Sequence, residues 1–374
     1  MAGIYIHIPF CKQSCHYCDF HFSTTFHSYR DRMISAICKE IFLQRNFLNE
    51  KVKTIYFGGG TPSLLTKNEL EKIFYALQEN FDLSEVQEIT LEANPDDLNE
   101  QHLLDLKAVG INRLSIGIQS FFDEDLQYMN RAHTSNEAER CIQWAKKIGI
   151  DNLSIDLIYG FPLLSDEKWI SNLNKAIDLG VQHISSYCMT IEKGTALSSF
   201  VNKGKVAPMD EEQAENHFSI LREKLKAAGY SQYEISNFCL PAFESKHNSS
   251  YWLQEKYLGI GPAAHSYDLQ NRYWNISNNI KYLFDIEQNE LANEKEIINE
   301  STAYNEYVLT RLRTIWGIDE ADIKKFNSFI QQHFFKNISR YLNNAQIIKV
   351  NNSYLLNEEA KFLADGIASD LFVI

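Results

Sequence analysis

An α/β chain whose parallel strands curl into a partial (β/α)6 barrel, followed by a mainly helical C-terminal module, is what this sequence predicts. Three observations carry that expectation. Six strand-like runs alternate with helical periodicity as far as residue 189, the pattern of a parallel sheet with crossover helices. One parity of those runs is polar in strand after strand, which an open sheet covered on both faces does not tolerate. Glycines, carboxylates and an amide gather at the C-terminal ends of the runs, where barrels of this kind place their functional groups.

In the first run Ile4, Ile6 and Ile8 alternate with Tyr5, His7 and Pro9, the signature of a short strand. Helical spacing follows over residues 29–48, with Ile34, Ile37, Ile41 and Leu48 on one face. A strand at 54–57 runs into Gly58-Gly59-Gly60-Thr61-Pro62, and a helix begins near Lys67. Next come a strand at 88–94, a helix at 100–109, a strand at 113–119, helices at 124–129 and 137–148, a strand at 152–160, a helix at 168–179 and a strand at 183–189. Glu88, Thr90, Glu92 and Asn94 share one side of their strand; Arg113, Ser115, Gly117 and Gln119 share one side of the next. Ser154 and Asp156 repeat the pattern. A helix is expected at 211–228, then a loop-rich stretch holding residues 246–252 and 258–265. From about residue 300 the chain reads as helical, with a hairpin of 344–350 and 353–356 turning at Asn351-Asn352 and a last helix from about 358. The expected organisation is therefore a barrel over 1–230, a connecting region over 231–299, and a winged-helix-like module over 300–374 suited to packing or protein contacts.

The net charge of −13 excludes a general nucleic-acid binder, which needs a basic surface, and gives no support to a polybasic membrane anchor. Seven cysteines, three clustered and four scattered (Cys38, Cys141, Cys188, Cys239), form no disulfide framework and suggest a reducing compartment. No apolar run approaches membrane-spanning length and no leader pattern is present. A cytoplasmic protein is expected.

The clustered cysteines, Cys11, Cys15 and Cys18, sit in the loop after the first strand. Thiolates are the usual ligands of iron–sulfur clusters, normally four for a cubane; three would leave one iron open to a substrate or cofactor. The alternatives are a closed zinc site completed by His7, His16 or His21, or metal-free cysteines that are inert or redox-active. Glycines after a strand let backbone approach a ligand, so Gly58–Gly60 suit carbonyls facing an ammonium, with the Thr61 hydroxyl as a further partner. Taken alone, a tight strand–helix turn explains them better, and it is their place at a barrel strand end beside the cysteine loop that makes them informative. Glu92 suits ribose hydroxyls, Gln119 a small polar ligand and Arg131 a carboxylate, while Asp156 is an inward carboxylate without an obvious partner. Each alone is more often structural than functional. Together they suit an amino acid joined to a nucleoside, as in S-adenosylmethionine (SAM), whose amino-acid end can chelate an open iron.

At these residues the sequence resembles a known family. Cys11xxxCys15xxCys18, with Tyr17 before the last cysteine, resembles the radical SAM signature. The fuller set, Tyr5-x-His-Ile-Pro-Phe-Cys11, Gly58–Pro62, Glu92, Gln119-Ser-Phe121, Arg131 and Asp156-Leu-Ile-Tyr-Gly-Phe-Pro162, resembles the oxygen-independent coproporphyrinogen oxidase superfamily. The resemblance implies a TIM-like radical SAM barrel with a [4Fe-4S] cluster on Cys11, Cys15 and Cys18. It implies SAM held by Tyr5, Tyr17, Gly59, Gly60, Thr61, Glu92, Gln119, Arg131 and Asp156. The reduced cluster would cleave the sulfonium to a 5′-deoxyadenosyl radical, chemistry supplied by the cofactor.

Two departures narrow the resemblance. The oxidases carry a fourth cysteine two residues after the third, where this chain has Phe20, and a longer N-terminal segment. Conversely, Cys18-Asp19-Phe20 and His247-Asn-x-x-Tyr-Trp252 resemble the HemW-type haem chaperones. That resemblance implies haem as cargo, haem-requiring respiratory enzymes at the membrane as clients, and no coproporphyrinogen oxidation; it admits a homodimer and leaves no residue assigned as catalytic. His247 is then the expected haem ligand, with Tyr251 and Trp252 against the porphyrin; otherwise these side chains tie a loop and fill core. His265 is a weaker candidate, in Gly-rich surroundings that suit a turn. A zinc-stabilised adaptor remains the reading from another class. Anaerobic reconstitution should give a coloured protein with about four iron and four labile sulfides per chain; zinc without sulfide would favour the adaptor.

Overall fold

The protein is described here by a computed structural model covering residues 2–291 and 293–373; residues 1, 292 and 374, within the three expected segments, lie outside the described residues. Strands β1 (Ala2–Ile8), β2 (Val52–Gly59), β3 (Glu88–Ala93), β4 (Arg113–Gln119), β5 (Asn152–Tyr159) and β6 (His183–Cys188) lie side by side in chain order, all parallel. The crossovers contain α1 (Arg30–Leu43), α2 (Lys67–Asn80), α3 (Glu100–Ala108), α4 (Asp123–Tyr128), α5 (Ser135–Ile148) and α6 (Asp166–Asp178). Thr66 and Thr134 start α2 and α5 by accepting from the backbone N–H of Glu69 and Glu137, whose carboxylates return the bond. Helix α1 ends at Leu43, short of the expected 48, where Asn46 and Asn49 disfavour continuation; Leu48 still reaches the core from the following turn.

The register makes the inward face continuous. Tyr5 lies beside Tyr56, Tyr56 beside Thr90, and Thr90 beside Arg113. One layer nearer the C-terminal ends, Glu92 lies beside Ser115 and Ser115 beside Ser154. Of the opposite parity, Ile4, Ile6, Ile55, Phe57, Leu114, Ile116 and Ile155 are fully buried and belong to the hydrophobic core.

Beyond β6 the chain keeps building the same sheet. After α7 (Ala196–Asn202) and α8 (Glu211–Ala227), strands β7 (Ser231–Glu234) and β8 (Asn237–Cys239) extend the β6 edge antiparallel. Helix α9 (Lys246–Trp252) follows, and β9 (Tyr257–Ile260) then pairs parallel with β1 at the far edge. Strands β10 (His265–Tyr267), β11 (Asn271–Asn275) and β12 (Asn293–Ile297) continue from there. The result is one twelve-stranded sheet in which β1 and β6 do not pair, so the barrel stays open. Residues 231–299 are thus not a loop-rich connection: residues 246–252 form a helix, and 257–260 and 265–267 form strands. Short strands with Gly and polar residues carry little periodicity, and their pairing is decided by the edges they meet.

Helix α10 (Asn279–Glu287) packs on α1, and the chain then enters a second hydrophobic cluster. It is built from α11 (Glu300–Leu312), β13 (Ile318–Asp319), α12 (Glu320–Ile323), α13 (Ser328–Asn343), β14 (Ile347–Val350), β15 (Ser353–Leu356) and α14 (Ala364–Asp370). The expected hairpin is present, with Asn351 at φ 54° in its turn, and β13 adds a third strand to it. The expected last helix opens as a 3-10 turn at Glu359–Leu363 before α14.

A buried carboxylate ties the far edge to the barrel. Glu40 of α1 accepts from the Gly261 N–H at 2.7 Å, Asn275 Nδ2 at 2.7 Å and the Tyr282 hydroxyl at 2.6 Å. Burial pushes its pKa up to about 7 despite these donors. A carboxyl raised in the folded state takes up a proton there before it does in the unfolded chain, so its contribution is fullest below the unfolded pKa and is lost as pH rises through about 7. Chemical denaturation of wild type should therefore lose stability between pH 5 and 7.5 more steeply than Glu40→Gln, by on the order of 3 kcal/mol across that window.

Candidate functional site

The C-terminal strand ends and the loop after β1 enclose a cavity of about 500 Å³. Its walls include all three clustered cysteines together with Tyr17, Gly59, Gly60, Thr61, Glu92, Gln119, Arg131 and Asp156. Eleven of the thirteen residues singled out from the sequence thus converge here; Tyr5 and His247 lie elsewhere.

Each wall is fixed by its neighbours. The Thr61 hydroxyl donates to Cys11 Sγ at 3.3 Å and accepts from Asn94 Nδ2 at 3.3 Å. Arg131 Nη1 donates to Cys15 Sγ at 3.3 Å, while Nη2 bridges Asn94 Oδ1 at 2.6 Å and the Gly117 carbonyl at 2.9 Å. Arg131 Nε is buried without a partner among the described residues. A Cβ on Gly60 would lie 2.6 Å from the Phe10 carbonyl oxygen, and Gly59 takes φ 108° beside the His7 ring. The glycines let the cysteine loop lie against the end of β2, which explains their presence without an ammonium ligand. Gln119 ends β4 at φ 65°, a conformation costly for a side chain-bearing residue.

Burial dominates the electrostatics. It pushes Glu92 up to about 7, against the Tyr56 hydroxyl donating at 2.7 Å and the Gly59 N–H at 3.1 Å. It pushes Asp156 up to about 6, with the Ser185 and Ser115 hydroxyls and the guanidiniums of Arg113 and Arg131 opposing. The Cys11 and Cys18 thiols rise to about 12 and about 11, again chiefly through burial.

The donor set fits an iron–sulfur group: three soft thiols face one space, with Arg131 and Thr61 placed to donate to sulfur. Among the described residues no three His, Cys, Asp or Glu side chains close into a metal cage by themselves. Each nearby imidazole already has a ring nitrogen engaged among the described residues. His7 Nε2 is engaged by the His21 carbonyl, His16 Nδ1 by the Tyr128 carbonyl and His21 Nε2 by Asn279 Oδ1. Asn94, Ser115, Ser185 and Asn248 also line the cavity. Asn94 and Ser115 belong to the polar parity read from the sequence; Ser185 comes from β6, whose faces were not separated there, and Asn248 arrives on α9, which no periodicity announced.

Tyr5 faces a second cavity of about 930 Å³, which shares Asp19, Phe20, Phe22, Gly59 and Glu92 with the first. His247 is in neither. It is fully buried at the opposite end of the barrel, with Nδ1 bonded to Thr54 Oγ1 at 2.8 Å and Nε2 to the Tyr251 hydroxyl at 2.8 Å. Its ring stacks on Tyr56 with centroids 5.0 Å apart. Glu88 accepts from the backbone N–H groups of Lys246 and His247 at 2.9 Å each, a carboxylate placed at the start of α9. Burial, then Arg113, holds the imidazole down to about pKa 3. Both ring nitrogens of His247 are engaged and it lines neither cavity; in this structure the ring plugs the barrel floor. The rest of its helix reaches the cavities, Asn248 the first and Tyr251 and Trp252 the second.

These features define a radical SAM protein, and comparison with known proteins agrees. The model of the radical SAM superfamily matches residues 5–176. The chain is similar to the heme chaperone HemW of Lactococcus lactis, 34% identical over 340 residues that cover 91% of this chain and 89% of that protein. It is similar also to HemW of Escherichia coli, 35% identical over 70% of this chain and 69% of that one. Its fold matches that of the coproporphyrinogen III oxidase HemN of E. coli, with a TM-score of 0.86 over all of this chain and 90% of that chain at 21% identity. The chain belongs to the HemW family of radical SAM proteins.

If His247 is a plug, His247→Ala should cost about 2–4 kcal/mol of folding stability. Denaturant unfolding with the iron and sulfide content of the folded fraction measured alongside checks this; unchanged stability would show that the ring is dispensable to the fold.

Proposed function

We propose that this chain carries haem on a radical SAM scaffold, with a [4Fe-4S] cluster on Cys11, Cys15 and Cys18 and SAM in the 500 Å³ cavity. The observation that carries the reading is the convergence of three thiols, two carboxylates, a guanidinium and a glycine-lined wall on one space. In this reading Arg131 steadies sulfur and carboxylate, and Thr61 holds Cys11. Glu92 and Asp156, kept partly protonated by burial, take the ribose and amino-acid ends. The cluster and SAM, when bound, supply one-electron radical chemistry. The haem-carrying half rests on the likeness to HemW proteins.

Residues 1–230 would then hold cluster and SAM, 231–299 the wall of the second cavity, and 300–374 a protein-contact module. Haem would pass to haem-requiring respiratory enzymes at the membrane, a step supported by the family resemblance, as is a homodimer. Seven free cysteines favour the cytoplasm, and no helix among the described residues is long and apolar enough to cross a membrane. Phe20, where the oxidases place a fourth cysteine, argues for cargo handling over porphyrinogen oxidation.

Titration of the anaerobically reconstituted protein with ferric haem should show saturable binding. Coproporphyrinogen III supplied with SAM and reductant should remain undecarboxylated. Loss of the first result would overturn the reading, and decarboxylated product would promote the oxidase in its place.

A further inference from the structure

The second cavity has the size and lining of a site for a flat aromatic ligand. Its volume of about 930 Å³ lies within the roughly 300–1,000 Å³ of cofactor-sized sites. It is walled by the β9–β11 edge on one side and α11 on the other, and it opens into the SAM cavity through their shared residues. Phe20 stands on that seam, 69% exposed, although burying such a ring is worth about 1.5–3 kcal/mol.

Three histidines line this cavity. His7 is unavailable, with Nδ1 on the Tyr5 hydroxyl and Nε2 on the His21 carbonyl. His21 is tethered through Nε2 to Asn279 Oδ1 at 2.7 Å. His265 is exposed and neither of its ring nitrogens has a hydrogen-bond partner among the described residues. The Gly-rich stretch before it does turn, at Gly261–Ala264, and His265 opens β10 directly after that turn. A Cβ on Gly259 would lie 2.0 Å from the His265 carbonyl oxygen, so the missing side chain lets β10 lie against β9 and fixes the backbone that carries the imidazole. Trp274, its cross-strand partner, sits 6.4 Å away between ring centroids. Tyr257 and Tyr267 line the same wall.

We propose that His265 is the protein ligand to the iron of a haem seated in this second cavity, with Phe20 covering part of the porphyrin at the seam with the SAM cavity. The inference rests on the reading that the chain carries haem. It replaces the buried His247 by an imidazole with free nitrogens on a rigid strand, and it places the cargo in contact with the radical SAM site. Neutral imidazole is a usual axial ligand, and ligation here breaks no existing bond of the protein.

Cluster-loaded full-length protein, its three cysteines thereby occupied, is titrated anaerobically with ferric protoporphyrin IX, and the Soret band and electron paramagnetic resonance spectrum are recorded. His265→Ala should shift the Soret band and weaken binding at least tenfold, and added imidazole should restore the wild-type spectrum. His265→Met should give a different ligand signature, while Phe20→Ala should weaken binding several-fold with the Soret position kept. Circular dichroism should show His265→Ala folded, as an exposed side chain without partners predicts; an unfolded variant would overturn the placement of His265. Saturable wild-type binding that His265→Ala leaves unchanged, or that His21→Ala abolishes instead, overturns the ligand assignment alone. No saturable binding by wild type overturns the haem-carrying reading and this site with it.

Discussion

The structure depends on a sheet that turns its polar parity inward and must then satisfy every charge it buries. Glu88, Arg113 and His183 are almost wholly buried, and Glu92 and Asp156 line a deep cavity. Isolated charges in such a place cost several kcal/mol each, so what fills the barrel is dictated by what can pair with them. At the floor His183 joins Ser154 and Tyr233, both at 2.7 Å, and Glu88 draws in the first turn of α9. At the mouth the same requirement leaves Glu92 and Asp156 with raised pKa values and Arg131 with a spare N–H, groups that a polar ligand can complete.

One helix therefore has two duties. Helix α9 closes the floor with His247, where the ring is held by Thr54, Tyr56 and Tyr251, and sends Asn248, Tyr251 and Trp252 toward the two cavities. The motif's histidine thus sits in the floor while its neighbours reach the cavities. The histidine sets the helix, and the helix sets the walls.

The edges decide how much space lies beside the site. Because β1 and β6 do not pair, each is free to recruit further strands; β9 joins β1, with Gly261 permitting a close approach to the His7 carbonyl. Glu40 locks that extension to α1 through three donors. Helix α11 supplies the opposing wall, so the second cavity exists only where the extended sheet meets the C-terminal module.

Much of this was legible in the chain itself. The alternation of strands and helices and the inward parity gave the α/β fold, because a period of two and a period of 3.6 are written locally. The motifs that resemble the radical SAM pattern pointed to eleven residues of one cavity. The glycines after β2 were legible as a close approach, though not as one between two backbones. What the sequence did not disclose were pairings between distant segments. Residues 246–252 look like a loop because a seven-residue helix carries too little periodicity to announce itself. Ser245 caps it locally, and Glu88, more than 150 positions earlier, accepts from the two N–H groups that Ser245 leaves open. The sequence marks both His247 and His265 as candidates and the turn before His265, but it does not show that His247 is buried while His265 opens an edge strand. By itself the sequence determined which faces are apolar and which residue types the strand ends carry, since these follow from neighbours along the chain. Only the tertiary structure decided which imidazole keeps its nitrogens free, because that depends on partners the fold brings from elsewhere.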